Sequence, residues 1–434
     1  MIDTAEIFLW GTRIAIIHLE PESSIVTFEY DKEFLQSNIQ VSPLKMPLST
    51  RLYSFPNLDF QAFHGLPGLL ADSLPDKFGN AVINQWLASL GKTEKEFNAL
   101  DRLCYTGKRG MGALEYRPAN SPLLDIDESV NVSEMVQFAS DILAKRGSLK
   151  LTASQKVTYS QLLQMGTSAG GARAKAVIAW NEKTNEIRSG QLLLDKDFDY
   201  WLMKFDGVKK NGDHGLEDYV EYTLIEYAYY KMALDAGIQM NECRLYCENG
   251  NNHFMTKRFD RENGKKLHMQ TLGALAHINY NEPGLCSYEQ AASYMRLLNL
   301  SAIEIEQFFR RMVFNVLAVN QDDHVKNVSF LMDKSGKWRL SPAYDITFSY
   351  DKDNRWLNSH QMLINGKKEK ITRRDLITCG KNMDISTQRI KTIISEVKDS
   401  VLKWPEFAAK TGIRTETYEG IQSVIFTTLN ECFE

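Results

Sequence analysis

Residues 315–346, NVLAVNQDDHVKNVSFLMDKSGKWRLSPAYDI, decide how the rest of the chain is read. An apolar helical run hands over to a loop that bears Asp322, Asp323, His324, Lys326 and Asn327, and Asp345 follows a strand-like run. Two carboxylates about 4 Å apart in a partly buried site repel by roughly 4 kcal/mol at an effective dielectric of about 20, so a divalent cation or a shared proton is expected. The asparagine favours a metal that holds a phosphate. Asp322 and Asn327 have the spacing of the kinase catalytic-loop pair, in which the aspartate meets the substrate hydroxyl and the asparagine binds magnesium; a later aspartate completes such a site.

Outward from this stretch the pattern changes sides. SAIEIEQFFRRMVFNVLAV before it and SYEQAASYMRLLNL before that read as helices with capping boxes, Ser301 to Glu304 and Ser287 to Gln290. VSFLMDKSGKWRLSPAYD reads as a hairpin turning near Ser335 and Gly336, which brings Asp345 back towards Asn327. Two or three further helices follow residue 350, and the basic run GKKEKITRRD at 366–375 reads as a solvated face.

Before about residue 268 strands dominate. EIFLW, RIAIIHL and SIVTFEY, separated by GT and PESS turns, predict an antiparallel β unit at the N-terminus. DSLPDKFGNAVINQWLASLG predicts an amphipathic helix capped at Asp72 or Ser73, with Pro75 in its first turn and Gly91 as its stop. TGKRGMGAL at 106–114 reads as a turn before the strand LEYRP, because a phosphate loop should open a helix. The polar stretch 118–135 reads as a linker, and VSEMVQFASDILAKRG as a helix after it.

GTSAGGARAKAVIAW at 166–180 is the second glycine-rich segment, and it opens a strand. Small residues let backbone N–H groups approach phosphate oxygens, while Ser168, Arg173 and Lys175 add donors; the segment fits neither GxxxxGK(S/T) nor GxGxxG, and taken alone it reads equally as a plain hairpin turn. YWLMKFDG then places Lys204 within an apolar strand, where desolvation demands an anionic partner. GLEDYVEYTLIEYAYYKMALDAG predicts a long helix ending at Gly237, with Glu221 and Glu226 as candidate carboxylates for that lysine and Glu221 read as solvated. CRLYCENGNNHFMTKRFD predicts a hairpin turning at NGNN and an exit strand carrying Lys257, Arg258 and Phe259.

Composition bounds these readings. With 434 residues, 43% hydrophobic and 24% charged, the chain has room for two or three domains with their own cores. A net charge of -4 excludes a global nucleic-acid footprint. No apolar run approaches the roughly 18 residues of a membrane span, and the start lacks the pattern of a secretory signal, so a cytoplasmic location without membrane contact is expected. The 6 cysteines include no CxxC pair, which predicts reduced, mostly buried thiols, with Cys243 and Cys247 explained by packing.

Taken in order, the glycine-rich loop, Lys204, Glu226, KRFDR, NQDDHVKN and PAYD resemble the HipA family of toxin serine/threonine kinases. The resemblance extends to the N-terminal β unit, LLADSLPDKFGN and the GAL turn, so it covers nearly the whole chain. It implies an α+β, HipA-like two-lobed fold related to protein and phosphoinositide kinases. The parts would be a β-rich N-terminal module at 1–120, a β-rich ATP lobe at 135–265 and an α-helical C-terminal lobe at 266–434. It also implies transfer of the ATP γ-phosphate to a Ser or Thr of a cellular protein, aminoacyl-tRNA synthetases being what characterised members modify, and hence arrest of translation and growth.

Position by position, the resemblance makes Asp322 the residue that orients or deprotonates the hydroxyl, with His324 and Lys326 beside the γ-phosphate. Asn327 and Asp345 become Mg2+ ligands. Ser168, Gly170, Gly171, Ala172, Lys175, Lys204 and Glu226 fall in the ATP site, and Lys257 and Phe259 supply the backbone pair for adenine. Asp323 is read as a loop anchor. Ser168, or alternatively Thr167, stands where members of the family autophosphorylate, and the added charge would repel nucleotide. A small helix-turn-helix, HipB-like antitoxin is the implied partner, with DNA contacted only through it. No GxGxxG, HRD, DFG or APE motif is present, so activation-loop control of that type is not implied. Two other functions fit parts of the pattern: a catalytically silent kinase-fold protein acting in operator repression, and a small-molecule kinase.

Overall fold

The short apolar runs at the N-terminus pair as antiparallel strands because each offers alternate residues to one face. β1 (Thr4–Leu9), β2 (Thr12–Leu19), β3 (Val26–Tyr30) and β4 (Leu114–Arg117) form a sheet in the order β3-β2-β1-β4. Ile7, Ile14, Ile17, Val26 and Phe28 are fully buried on it. The first hairpin turns through Trp10 and Gly11, both at positive φ, the two-residue loop whose twist matches the strands.

The computed structural model describes residues 1–119, 128–144, 153–166, 171, 173–192, 194–208, 221–262 and 264–434. They fall into two units. The first comprises Met1–Asp218, Arg244–Gln270 and Met332–Gly336, the second Tyr219–Cys243, Thr271–Leu331 and Lys337–Glu434.

In the first unit a second sheet follows, built from β5 (Lys175–Asn181), β6 (Glu186–Ser189), β7 (Asp199–Lys204), β8 (Cys243–Glu248) and β9 (Asn251–Lys257) in the order β6-β5-β7-β9-β8. Asn249 and Gly250, both at positive φ, make the β8–β9 turn. Ala176, Ile178, Trp201, Met203 and Met255 share one core with Met135 and Ala139 of the helix Val132–Leu143 and with Phe78 and Val82 of the helix Lys77–Ser89. That last helix begins later than its sequence suggested. Asp76 is its N-cap residue, while Ser73 accepts a hydrogen bond from the Tyr116 hydroxyl at 2.7 Å.

The second unit is helical. Both expected capping boxes are present, Ser287 with Gln290 and Ser301 with Glu304. The helix Ala302–Leu317 buries Ile305, Phe308, Phe309, Met312, Val313 and Val316, a stripe that packs on the helix Thr387–Val401. The helix Tyr222–Asp235 packs on Trp404–Thr411, with Tyr229 edge-on to Trp404 at 5.2 Å. Glu221 is not a solvated carboxylate: it accepts from Thr417 at 3.0 Å and pairs with Arg414 at 3.2 Å. Nor is the run 366–375 simply a solvated face, since buried Asp375 accepts from Asn365 at 2.8 Å, Lys367 at 2.9 Å and the Thr372 hydroxyl. Five of the cysteines are buried and Cys247 is exposed; all are free. No helix among the described residues is long and apolar enough to cross a membrane.

Candidate active site

The helix Ala302–Leu317 ends in a way the sequence gives no hint of. Asn320 N–H donates to Asn315 O at 2.9 Å and Val319 N–H to Val316 O at 3.4 Å, the bonding pattern of a Schellman cap. Its left-handed residue is Val319, at φ 56°, where glycine is the usual occupant. A β-branched residue there costs of order 1–3 kcal/mol, strain of the kind that collects at functional sites. Val319 and Gln321 hold it by exchanging bonds with Ser349, Ser349 N–H to Val319 O at 3.1 Å and Gln321 N–H to Ser349 O at 3.0 Å. The chain therefore leaves the helix at a fixed angle.

The loop that follows closes on itself. Asn327 Nδ2 donates to the Asp322 carbonyl at 2.8 Å and Asn327 N–H to the His324 carbonyl at 2.8 Å. With its nitrogen engaged, Asn327 has its Oδ1 to offer a cation. His324 Nε2 lies 3.8 Å from Asp322 Oδ1, both side chains being partly exposed. Lys326 Nζ sits 4.2 Å from the centre of the Tyr280 ring, and its carbonyl accepts from the Tyr344 hydroxyl at 2.6 Å. From below, Leu272 N–H donates to Val328 O at 2.8 Å and Gly273 N–H to Val325 O at 3.1 Å.

Asp345 arrives from the strand pair Ser329–Met332 and Trp338–Leu340, which are sheet neighbours as the hairpin reading required. It adopts φ 52°, a conformation aspartate tolerates better than most residues. Asn320, His324, Asn327 and Asp345 line a single cavity in this unit. Asp323 also borders this cavity but is 3% exposed, its carboxylate taken up by the Tyr288 hydroxyl and the Gln361 amide. Among the described residues no cluster of three or more His, Cys, Asp or Glu could hold a metal. Magnesium does not require one, since it keeps several waters and is held by one or two carboxylates with substrate phosphates. Asn327 and Asp345 fit that requirement.

The other expected site residues lie in the first unit, apart from Glu226, which is buried in the helix Tyr222–Asp235 of the second. Lys175 and Lys204 are 3% and 7% exposed and stand directly opposite each other across β5 and β7. Cross-strand partners share a face, so both lysines are desolvated on the same side of the sheet. Gly171 takes φ 105°, and a Cβ there would meet the Lys175 ammonium. Its N–H donates to the Asp76 carboxylate. Thr167, Ser168, Gly170 and Ala172 lie outside the described residues.

At the exit strand the side chains alternate. Lys257 and Phe259 are partly exposed, Lys257 pairing with Asp199 at 2.8 Å, while Arg258 and Asp260 turn inward. Asp260 is fully buried. It accepts from Arg258 Nε at 2.9 Å, from a terminal nitrogen of Arg258 and of Arg261 at 2.7 Å each, and from Gly112 N–H at 2.7 Å. Burial opposes its charge, but the two guanidiniums outweigh that and hold its pKa far below the ordinary carboxylate range. The glycine-rich stretch 106–114 is thus a turn whose amide at Gly112 is already bonded. Asp260 had no role in the sequence reading; the Arg-x-Asp-Arg spacing around it is the signal that could have given it one.

Residues 5–117 match the HipA N-terminal domain and residues 167–404 the HipA-like C-terminal domain. The chain belongs to the HipA family. Its HipA-like fold is seen again in the Shewanella oneidensis MR-1 HipA of a toxin–antitoxin complex with HipB and operator DNA, at a TM-score of 0.68 and 16% identity over 99% of this chain and 96% of that one. A Haemophilus influenzae putative kinase is 29% identical over 160 residues, 33% of this HipA-family chain and about half, 47%, of that relative. The Helicobacter pylori proinflammatory kinase CtkA aligns with 53% of the chain at 14% identity and a TM-score of 0.32, too slight a likeness to build on.

Proposed function

We propose that this HipA-family chain is an ATP- and magnesium-dependent protein serine/threonine kinase that acts as the toxin of a toxin–antitoxin pair. The observation that carries the reading is the cavity shared by Asn327 and Asp345, whose oxygens suit magnesium, beside a loop that holds Asp322 partly exposed to an acceptor hydroxyl. Magnesium would bridge and neutralise phosphate oxygens there. Asp322 takes or orients the hydroxyl proton. His324 and Lys326 stabilise charge on the transferred phosphoryl group. In the first unit we assign Lys175 and Lys204 to nucleotide phosphates, Gly171 to close approach of the chain, and the backbone of Lys257 and Phe259 to adenine. Ser168, with Thr167 as the alternative, is the proposed autophosphorylation site.

The parts we assign are an N-terminal module at 1–120, a nucleotide-binding lobe at 135–265 and a catalytic lobe at 266–434. The partner is a HipB-like antitoxin that contacts DNA on the pair's behalf, and the substrate class is a cellular protein such as an aminoacyl-tRNA synthetase. The test incubates the purified chain with γ-labelled ATP, magnesium and cell lysate beside Asp322→Gln. Label in a protein band with the wild type alone supports the proposal. Label confined to small molecules replaces it with a small-molecule kinase, and absence of magnesium-dependent ATP binding leaves a silent binding protein.

A further inference from the structure

The loop 322–327 is held from behind by one buried polar cluster. Asp323 Oδ2 accepts from the Tyr288 hydroxyl at 2.7 Å and lies 3.0 Å from His360 Nδ1, which therefore carries a proton there; Oδ1 accepts from Gln361 N–H at 2.7 Å. Tyr288 in turn accepts from Asn315 Nδ2 at 3.1 Å, Asn315 Oδ1 accepts from Asn320 Nδ2 at 3.0 Å, and Asn320 Nδ2 reaches the Asp345 carbonyl at 3.5 Å. A single chain of bonds so runs from His360 to the Asp345 carbonyl, and Asp323 is the chain neighbour of Asp322, whose carbonyl holds Asn327. Burial first, then the Asp323 charge, keeps the Tyr288 hydroxyl protonated and donating.

His360 belongs to a segment that folds on itself. Gln361 Nε2 donates to the Trp356 and Ser359 carbonyls, which turns His360 and the Gln361 amide towards Asp323. Protein kinases order the corresponding stretch, downstream of the metal aspartate, by pairing a phosphorylated side chain with arginine. Here an unmodified buried carboxylate does the pairing. A buried charge is a poor source of stability compared with apolar packing, so its use argues for geometry.

We propose that His360 is a positioning residue for phosphoryl transfer: through Asp323 it fixes Asp322 and Asn327 relative to Asp345, and it keeps the segment 356–361 docked without phosphorylation. The proposal rests on the kinase reading. Kinetics of the full chain with His360→Phe, His360→Gln and Tyr288→Phe test it. His360→Phe should lower kcat by about 10- to 100-fold with KM for ATP changed less than about twofold, since small misplacements of a reacting group have that cost. The glutamine amide can donate to Oδ2, so His360→Gln should recover most of the rate. Hydrogen exchange should quicken across residues 320–328 in His360→Phe and not in His360→Gln. Should His360→Phe fail to fold, Tyr288→Phe removes a donor to the same oxygen without changing shape, and should lower kcat alone. Unchanged kcat and unchanged exchange, with an active wild type, overturn the positioning role and leave the kinase reading standing. A wild type that transfers no phosphate overturns both.

Discussion

Two glycine-rich stretches bearing lysine and arginine, 106–114 and 166–175, look alike as sequence and stand in different surroundings. In the first, Gly112 gives its N–H to Asp260 and the nearby guanidiniums are neutralised by the same carboxylate. In the second, the neighbouring cations are two buried lysines facing each other across a strand pair. Glycine content does not make a phosphate cradle. What sets the first stretch apart is that one buried carboxylate, Asp260, takes both its glycine amide and the two guanidiniums beside it.

The sharpest way to break this comparison is Asp260→Ala. It leaves Arg258 and Arg261 buried without their acid and should cost about 3–5 kcal/mol of stability in urea denaturation; a loss near zero would mean the turn is not locked as described. Next in size is a pH effect on the strand beside it. Burial pushes the fully buried His268 down to about 4, despite its bond to the Val41 carbonyl. A base with a lowered folded pKa binds fewer protons folded than unfolded, so stability is complete above about pH 6.5 and is lost as pH falls towards 4, by about 3 kcal/mol in all. Denaturation midpoints across that range should fall for the wild type and flatten for His268→Gln.

On the other side of the comparison, Lys204→Met should weaken ATP binding by about 10- to 100-fold, the worth of one charged hydrogen bond, as read by calorimetric titration. The smallest effects separate the two glycines. Gly112 and Gly171 both hold positive φ, so alanine at either should cost about 1–2 kcal/mol. ATP affinity should fall only for Gly171→Ala, and equal falls would erase the distinction.

Strand alternation, capping boxes and the NG hairpin were legible in the sequence because each is a local rule obeyed by adjacent residues. Asp323 could be read as an anchor from its place beside Asp322. The start of the helix at Lys77 was not legible, since Asp72, Ser73 and Asp76 are all able caps and packing chooses among them. Val319 was invisible for a different reason: a left-handed valine breaks the propensity that a reader relies on. His360 was missed because its partner Asp323 lies far away in the chain and only the fold joins them; for Asp260 the adjacent arginines were there to be read, and only its bond to Gly112 needed the fold.

The account rests most directly on magnesium and ATP binding together. Titration of ATP into the full chain, with and without magnesium, should show saturable binding that magnesium strengthens and that Asp345→Asn makes insensitive to the metal. Binding that is absent, or indifferent to magnesium in the wild type, would contradict it.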